Sequence, residues 1–489
     1  METIRYDAIV IGAGPAGIFT SLELAALKPE SRVLIVDTGR AIARRNCPAR
    51  VTGKCMHCDP CAIVHGWAGA GAFSDGKLSL SDEVGGHISD YMGHPKAQKM
   101  IRHADDIYLR FGAPPEVHGL DDRKVEEIAY EASRHNIRLI PCPVRHLGTE
   151  NAGVVLEAMH DFLVGQTNTT FSELTTASDI LVENHKVVGV KLVPKKGEPY
   201  TAYAPYVVAA PGRGGAAWLA AEVGRLGLRT QNNEVDIGVR VEVPNAIMDH
   251  LTKHLYEAKL VYYSDTYENK VRTFCMNPGG VVSEEHYEGG IAVVNGHSYG
   301  DEKMRTGNTN FAMLVSTRFT EPFNQPIEYG RYIAQLANML TGGPIMVQRL
   351  GDLLQGRRTD ISRLNKSTTV PTLSTAVPGD LSFVLPPRHL TSIVEALKAF
   401  DHLAPGLYSR NTLLYGVEVK FYSSKVMVNN QFETPIQGLY AIGDGAGITR
   451  GLMQASVTGI AVAQDIAGKM HSSCQDVAAL DPDGGAASE

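Results

Sequence analysis

An α/β fold assembled from both ends of the chain, with a mixed α+β domain inserted between them, is predicted by three observations. Tyr6 to Ile11 is a nearly continuous apolar run that leads into Gly12-Ala13-Gly14-Pro15-Ala16-Gly17 and then a helical pattern. Leu439 to Ile442 repeats that theme near the other end, running into Gly443-Asp444 and a second helical pattern. Between the two, residues 217–433 mix strand-like alternation with amphipathic helices, as an α+β unit does. At 489 residues the chain is too long for one core, and a loose prior of about 150 residues per domain allows two or three.

Taken in order, the first element is a central strand, because a strand buried on both faces of a parallel sheet shows no alternation. The helix through Ile18, Leu22 and Leu27 follows, then a second strand from Arg32 to Val36 closed by Asp37, which completes one βαβ unit. Residues 40–90 have little periodicity and hold Cys47, Cys55, Cys58 and Cys61 before a second glycine-rich run, Gly66 to Gly76. Apolar spacing predicts helices over 96–111 and 121–136, the first stopped by Gly112 and the prolines after it, so that 91–140 is expected to be a helical insertion. A helix is expected over 152–164, short strands over 170–192 with a turn at Glu183-Asn184-His185-Lys186, and a buried strand over 206–210.

Within 217–433, strands are predicted at 235–243, 271–276, 290–294 and 416–422, and helices at 304–319, 327–340 and 390–400. The last helix is expected from Gly451 to about Lys469, with the small, acidic end from Ser472 fraying as a tail. The first domain is then discontinuous, over 1–90, 141–216 and 434–470, around a substrate or cap domain at 217–433; 471–489 form the tail.

Composition removes several classes of function. With 44% hydrophobic and 20% charged residues the chain is neither disordered nor a coiled coil throughout. A net charge of −7 leaves no basic field for nucleic acid or an anionic membrane. No apolar run approaches the roughly 20 residues of a membrane span. The chain opens directly on a strand-like segment, with no charged-then-apolar leader, so a cytoplasmic protein is expected.

The glycines have a physical reading. In a GxGxxG turn the first glycine permits the turn, the second lets a pyrophosphate approach bare backbone, and the third lets helix and strand pack closely. Gly12, Gly14 and Gly17 stand at those positions, with Pro15 and Ala16 opening a helix whose N-terminal N–H groups favour an anion. Asp37, roughly twenty residues on, is placed to accept hydrogen bonds from a ribose. An acid there disfavours a 2′-phosphorylated nucleotide. The first domain is therefore expected to be a Rossmann-like dinucleotide-binding domain.

The run Leu439-Tyr440-Ala441-Ile442-Gly443-Asp444, followed by Gly445-Ala446-Gly447 and a helix opening at Gly451-Leu452-Met453, resembles the second FAD fingerprint of flavoproteins built like glutathione reductase. The resemblance implies a three-layer ββα FAD-binding domain, with Asp444 on the ribityl chain and the helix N-terminus at the pyrimidine end of the flavin. Ala210-Pro211-Gly212 resembles a third element of the same pattern, and Ala177 falls where a residue touches the adenine. No second complete GxGxxG is present, so an NAD(P)H domain is not evident.

A wider resemblance rests on Gly69-Ala70-Gly71-Ala72-Phe73-Ser74-Asp75-Gly76-Lys77-Leu78, on Cys47-Pro48 and on the Cys55-x2-Cys58-x2-Cys61 spacing. With Arg145 to Thr149, Asp236 to Glu242, Thr273 to Met276, Asn295 to Tyr299 and Gly416 to Glu418, these are similar to the FAD-dependent dehydrogenases of the NAD(P)/FAD-dependent oxidoreductase family. The resemblance implies a flavin fold and oxidoreductase chemistry without a substrate. Lys420 departs from it, standing where arginine is expected. From the residues themselves, Gly69, Gly71, Ser74, Gly76 and Lys77 form either a loop touching pyrophosphate or ribityl chain, with Lys77 near the phosphates, or simply a close-packed loop.

The cysteine spacing suits a [4Fe–4S] cluster with Cys47 as fourth ligand. Four thiolates also satisfy zinc, and a redox dithiol or unligated cysteines complete the alternatives. His57 and His65 stand nearby as ligands or surface residues. For chemistry on a substrate, Arg240 and Glu242 share a strand face and serve as a substrate anchor or an internal ion pair. Cys275 faces the flavin or the core, and His297 is an acid or base or a surface residue. Glu418 and Lys420 share a face, touching substrate or pairing across solvent, while Arg450 stabilises reduced flavin or caps a loop. The expected function is that of an FAD-dependent oxidoreductase (dehydrogenase) moving a hydride between a small organic substrate and flavin N5. The alternatives are a C=C or C=N reductase fed through an iron–sulfur cluster by an electron-transfer partner, and an FAD-dependent RNA-modifying or RNA-binding protein, which the acidic charge disfavours. Oligomeric state is not legible.

Overall fold

A computed structural model describes residues 4–48, 52, 55, 56, 58–287 and 290–478, with side chains to residue 471. The strand Ala8–Ile11 is buried at every residue and pairs in parallel with Val33–Val36 on one side and Tyr206–Ala209 on the other. Thr169–Ser172 and Leu439–Ala441 complete a five-stranded parallel sheet, so both ends of the chain meet in it. Alternate residues feed two cores. Ala8 and Val10 face the helices Pro15–Leu27, His94–Arg110, Ala152–Gln166 and Leu452–Ala478. Ile9 and Ile11, with Leu34 and Val36, pack instead on the antiparallel strands Thr175–Glu183, Lys186–Pro194 and Tyr200–Tyr203. The result is three layers, sheet on sheet on helices.

The last helix runs against the first. A Cβ at Gly459 would stand 2.2 Å from the carbonyl oxygen of Ala16, so the two backbones touch where any side chain would part them. Tyr108, from the helix His94–Arg110, adds a hydrogen-bonding contact of 3.0 Å to Ser456 Oγ.

The second domain is built on an eight-stranded mixed sheet whose central strands are Leu413–Lys420, Val235–Pro244, Asn308–Thr317 and Lys270–Asn277. Val235–Pro244 shows why its two faces differ. Val235, Ile237, Val239, Val241 and Val243 enter an apolar core with the helices Asn245–Leu255, Pro326–Thr341 and Pro387–Phe400. Asp236, Arg240 and Glu242 occupy the opposite face, and all three are buried. The hairpin Val281–Tyr287/Ile291–His297 lies over that polar face, where Asn295 and Glu285 reach Arg240 and Lys420.

Three expectations change. The helix expected over 304–319 is the strand Asn308–Thr317, which pairs along its length with Val235–Pro244. Phe311, Met313, Leu314 and Val315 are all buried, and a strand covered on both faces loses the period-two signal that separates it from a helix. The segment 91–140 is not one insertion. His94–Arg110 joins the first core through Met100, Ile101 and Tyr108, whereas Val125, Ala132, Ile137 and Leu139 belong to the second. The last helix continues to Ala478, beyond Lys469, and 479–489 lie outside the described residues. Among the described residues no helix is long and apolar enough to cross a membrane.

Gly459→Leu is expected to destabilise the chain by about 1–3 kcal/mol or more through overpacking. Gly165→Ala, where a Cβ meets nothing within 4 Å in the helix Ala152–Gln166, should stabilise it by up to about 1 kcal/mol. Urea unfolding midpoints of the two variants, moving in opposite directions, check both statements.

Candidate functional site

The first glycine turn is shaped by contacts. Gly12 has φ +104°, and a Cβ there would lie 2.1 Å from the Ala210 carbonyl oxygen. At Gly17 a Cβ would lie 2.1 Å from the Gly12 oxygen, but at Gly14 it would meet nothing within 4 Å. Two glycines are thus required by packing, and the middle one leaves open space above bare backbone, which is the cradle a pyrophosphate needs. Pro15 and Ala16 begin the helix that follows.

Asp37 ends the second strand with its carboxylate turned back on the turn. Oδ2 accepts from Ala13 N at 3.0 Å, and Oδ1 accepts from Gly39 N at 2.8 Å and Gly66 N at 2.7 Å. A carboxylate offers about four lone-pair positions, so capacity for a ribose hydroxyl remains. The run from Gly69 to Phe73 is a short helical turn seated on this assembly. Ala68 N donates to Ala13 O at 2.7 Å, Gly69 faces Gly14, and Gly71 lies against Leu452 and Pro15. Ser74 Oγ donates to Gly71 O and accepts from Gly76 N, so its hydroxyl serves its own loop. Ala210-Pro211-Gly212 lies between the first turn and the last, with Gly445 packed on Gly212 and Gly443 on Ala16. Asp444 Oδ1 accepts from Thr449 Oγ1 at 2.7 Å, and Gly451, Leu452 and Met453 open the last helix. Ala177, expected near an adenine, is only 5% exposed and packs in the small core between the two sheets.

Lys77 does not point to the phosphate cradle. Its Nζ donates to Met276 O at 2.6 Å and Asn277 Oδ1 at 2.7 Å, pairs with Asp75 at 3.0 Å and lies 3.9 Å from Cys275 Sγ. Burial is the largest influence and opposes its charge, but Asp75, Cys275, Glu257 and Tyr256 together outweigh burial and hold the ammonium above the ordinary lysine range. Lys77 therefore clips the glycine-rich loop to the sheet of the second domain.

Cys275 has φ +46°, in the left-handed region, where the strand pairing is irregular between Phe274 and Asn277. Such backbone costs about 1–3 kcal/mol and persists only where its surroundings over-determine it. Here the Cys275 carbonyl accepts from Arg240 Nη1 at 3.2 Å and from Asn277 Nδ2 at 3.1 Å.

Arg240 is fully buried and grips Glu418 bidentately at 2.8 and 2.9 Å, with a third bond of 2.7 Å to Asn310 Oδ1. The alternative of an internal ion pair of Arg240 with Glu242 is replaced by one of Arg240 with Glu418. Glu242, on the same face, is hydrogen-bonded to Tyr415, Thr372 and Asn308. Lys420 and Glu418 pair at 3.1 Å inside the protein and not across solvent, and Lys420 also reaches Glu285 at 3.5 Å. Burial raises the Glu285 carboxyl, but Lys420 and Arg213 outweigh it and bring it to about 2. Asp236 is likewise raised by burial and brought to about 2 by Arg272 and Arg450.

His297 is half-buried at the end of the covering hairpin, and its ring makes no hydrogen bond among the described residues. Burial lowers its proton affinity and Asp75 works the other way; the net shift is downward, so the ring is neutral near pH 7. His146 is taken down to about 4 by burial and then by Lys77, beside Tyr256 Oη at 3.0 Å and Ser298 Oγ at 3.3 Å.

Sequence reasoning named Arg240, Cys275, His297, Glu418 and Lys420, and the structure brings them to one polar face. It missed Asp75, His146, Arg213, Tyr256, Glu285, Ser298 and Tyr422 as participants. Asp75, His146 and Ser298 sit inside runs already singled out for their resemblance. Arg213, Tyr256, Glu285 and Tyr422 gave no local signal.

Cys47, Cys55 and Cys61 are partly buried, Cys58 is exposed, and all four are free thiols. Among the described residues no three His, Cys, Asp or Glu side chains are gathered as a metal would need. His65 Nδ1 is 3.0 Å from Thr38 Oγ1, and His57 lies outside the described residues.

Residues 234–421, which hold the polar sheet and its hairpin, match the family described as FAD-dependent protein, C-terminal domain-like. An uncharacterised protein of Clostridium beijerinckii is 26% identical over 491 aligned positions, covering 95% of this chain and 81% of its own. Among solved structures, formate oxidase is similar with a TM-score of 0.46 at 11% identity, covering 97% of this chain and all of its own. Glycine oxidase from Geobacillus kaustophilus has a TM-score of 0.39 at 13% identity, covering 96% of this chain and 95% of its own.

The low carboxyl of Glu285 makes stability depend on pH. A group depressed on folding stabilises fully above its unfolded value, here 4.5, and that stability is lost as pH falls through about 2. The melting temperature should therefore fall between about pH 4.5 and 2. In Glu285→Gln the fall should be shallower by close to one proton, as read from melting curves across that window.

Proposed function

We propose that the chain is an FAD-dependent oxidoreductase whose Rossmann-like domain holds FAD and whose second domain presents a small organic substrate. The observation that carries this reading is the open backbone at Gly14, flanked by glycines that packing requires. The match of residues 234–421 to an FAD-dependent domain family supports it. When bound, FAD would supply hydride exchange at flavin N5.

The chain's own residues account for the rest. The turn at Gly12, Gly14 and Gly17, with the N-terminus of the first helix, receives the pyrophosphate. Asp37 keeps acceptor capacity for a ribose, and Asp444 with the N-terminus at Gly451 to Met453 serves the other end of the cofactor. Arg240, Asn277 and Lys77 hold the Cys275 segment rigid, so the substrate meets a fixed wall. His297, neutral and with unclaimed ring nitrogens, is the group that accepts or gives the substrate proton.

Absorbance of the purified chain, before and after incubation with FAD, tests the reading directly. Bound flavin is expected; its absence after incubation sinks the proposal. Gly14→Val should abolish FAD binding while leaving the melting temperature of the FAD-free chain nearly unchanged, because the new side chain enters open space. For the proton step, His297→Asn should keep its FAD and lose roughly a hundredfold or more in the rate at which a reducing metabolite bleaches it without oxygen. An undiminished rate would remove His297 from that role.

A further inference from the structure

Two cations beside the polar sheet lack a hydrogen-bonded carboxylate. Arg213, Arg240, Arg272, Lys420 and Arg450 form a network with Asp236, Glu285, Glu418 and Asp444. Arg240, Arg272 and Lys420 are engaged by short ion pairs and hydrogen bonds. Arg213 and Arg450 are not.

Arg213 stands between Glu285 and Asp444 at 3.8 and 3.9 Å, beyond hydrogen-bonding reach of either. Its side chain is 44% exposed and makes no hydrogen bond among the described residues. Arg450 lies on the ring of Tyr422, 3.7 Å from its centroid, with Nε buried and unpartnered. That ring is fixed, since its hydroxyl donates to Asp236 at 2.6 Å and accepts from Arg272 at 3.0 Å. Tyr422 lies near Arg213 as well. The Arg450 backbone is tied to Gly85 O at 2.7 Å, and the next residues open the 27-residue last helix, whose N-terminus adds partial positive charge. His87, near Arg450, has its proton affinity lowered first by burial and then by Arg450, with Asp90 opposing.

We propose that this site takes the carboxylate of the substrate, so that the oxidoreductase acts on a small monoanionic carboxylic acid held by Arg213 and Arg450 beside the Tyr422 ring. The proposal rests on the oxidoreductase reading and names its substrate class. A planar guanidinium edge matches a carboxylate with two parallel N–H donors. A monocarboxylate brings one pair of oxygens to these donors, whereas a phosphate dianion would turn further anionic oxygens toward Glu285 and Asp444.

Benzoate, its neutral analogue benzamide, and inorganic phosphate serve as probes of the FAD-loaded chain, read by perturbation of the flavin absorbance. Benzoate should bind saturably and more weakly as salt rises, with benzamide and phosphate at least tenfold weaker. Arg213→Gln and Arg450→Gln should each weaken benzoate by roughly ten- to a hundredfold with FAD affinity unchanged, and Arg450→Lys should fall between. Equal binding of benzamide or phosphate, or unweakened benzoate binding in both glutamine variants, overturns the proposal. Loss of FAD from those variants also overturns it, because the arginines then hold the cofactor. If the chain binds no FAD at all, the oxidoreductase reading fails by itself. A benzoate-dependent rise in melting temperature of the FAD-free chain, absent in both glutamine variants, would still establish the anion site, and no rise would end it.

Discussion

A guanidinium with no access to water must be matched donor by donor, and the polar half of this molecule is organised around one such group. Arg240 takes both oxygens of Glu418 from one neighbouring strand, Asn310 from another, the Cys275 carbonyl from a third and Asn295 from the hairpin above. Removing one partner of a buried pair leaves an uncompensated charge that costs about 3–5 kcal/mol. The strand order, the left-handed Cys275 and the seat of the hairpin are therefore mutually enforced.

That arrangement explains how two separately packed cores make one site. The first domain contributes a turn stripped of side chains, a helix N-terminus, and Arg213, Asp444 and Arg450 beside them. The second contributes charge, displayed on the sheet face that its own apolar core leaves over. Lys77 joins them, since its loop packs on the glycine turn while its ammonium is bonded to Met276 and Asn277. A buried lysine here stands beside an apolar contact of Cys142 and Val144 with Tyr256, and it brings a fixed direction that an apolar contact lacks.

The βαβ unit was legible because everything that specifies it is local: an unalternating strand, glycines at fixed offsets and an acid at the next strand end. The alternation of Asp236, Arg240 and Glu242 was equally readable as one face, but its partners were not. Arg213 and Glu285 meet across a long stretch of chain, and nothing near either residue announces the other. The strand Asn308–Thr317 was misread because burial on both faces erases its period. Lys77 was placed near phosphate because a glycine-rich loop carrying an amine has that local appearance, whereas its direction is set by residues almost two hundred positions away.

Both Gly39 and Gly66 donate their backbone N–H to the same atom, Oδ1 of Asp37. The excursion from 40 to 65, which holds all four clustered cysteines, thus departs from and returns to a single oxygen, with the backbones of Gly39 and Gly66 in contact. Within the segment, Arg45 ties the return to its start by donating to Ala62 O, Ile63 O and Trp67 O. None of these bonds uses a thiol, so the closure on Asp37 and the support it gives the Gly12–Gly17 turn do not depend on the cysteines.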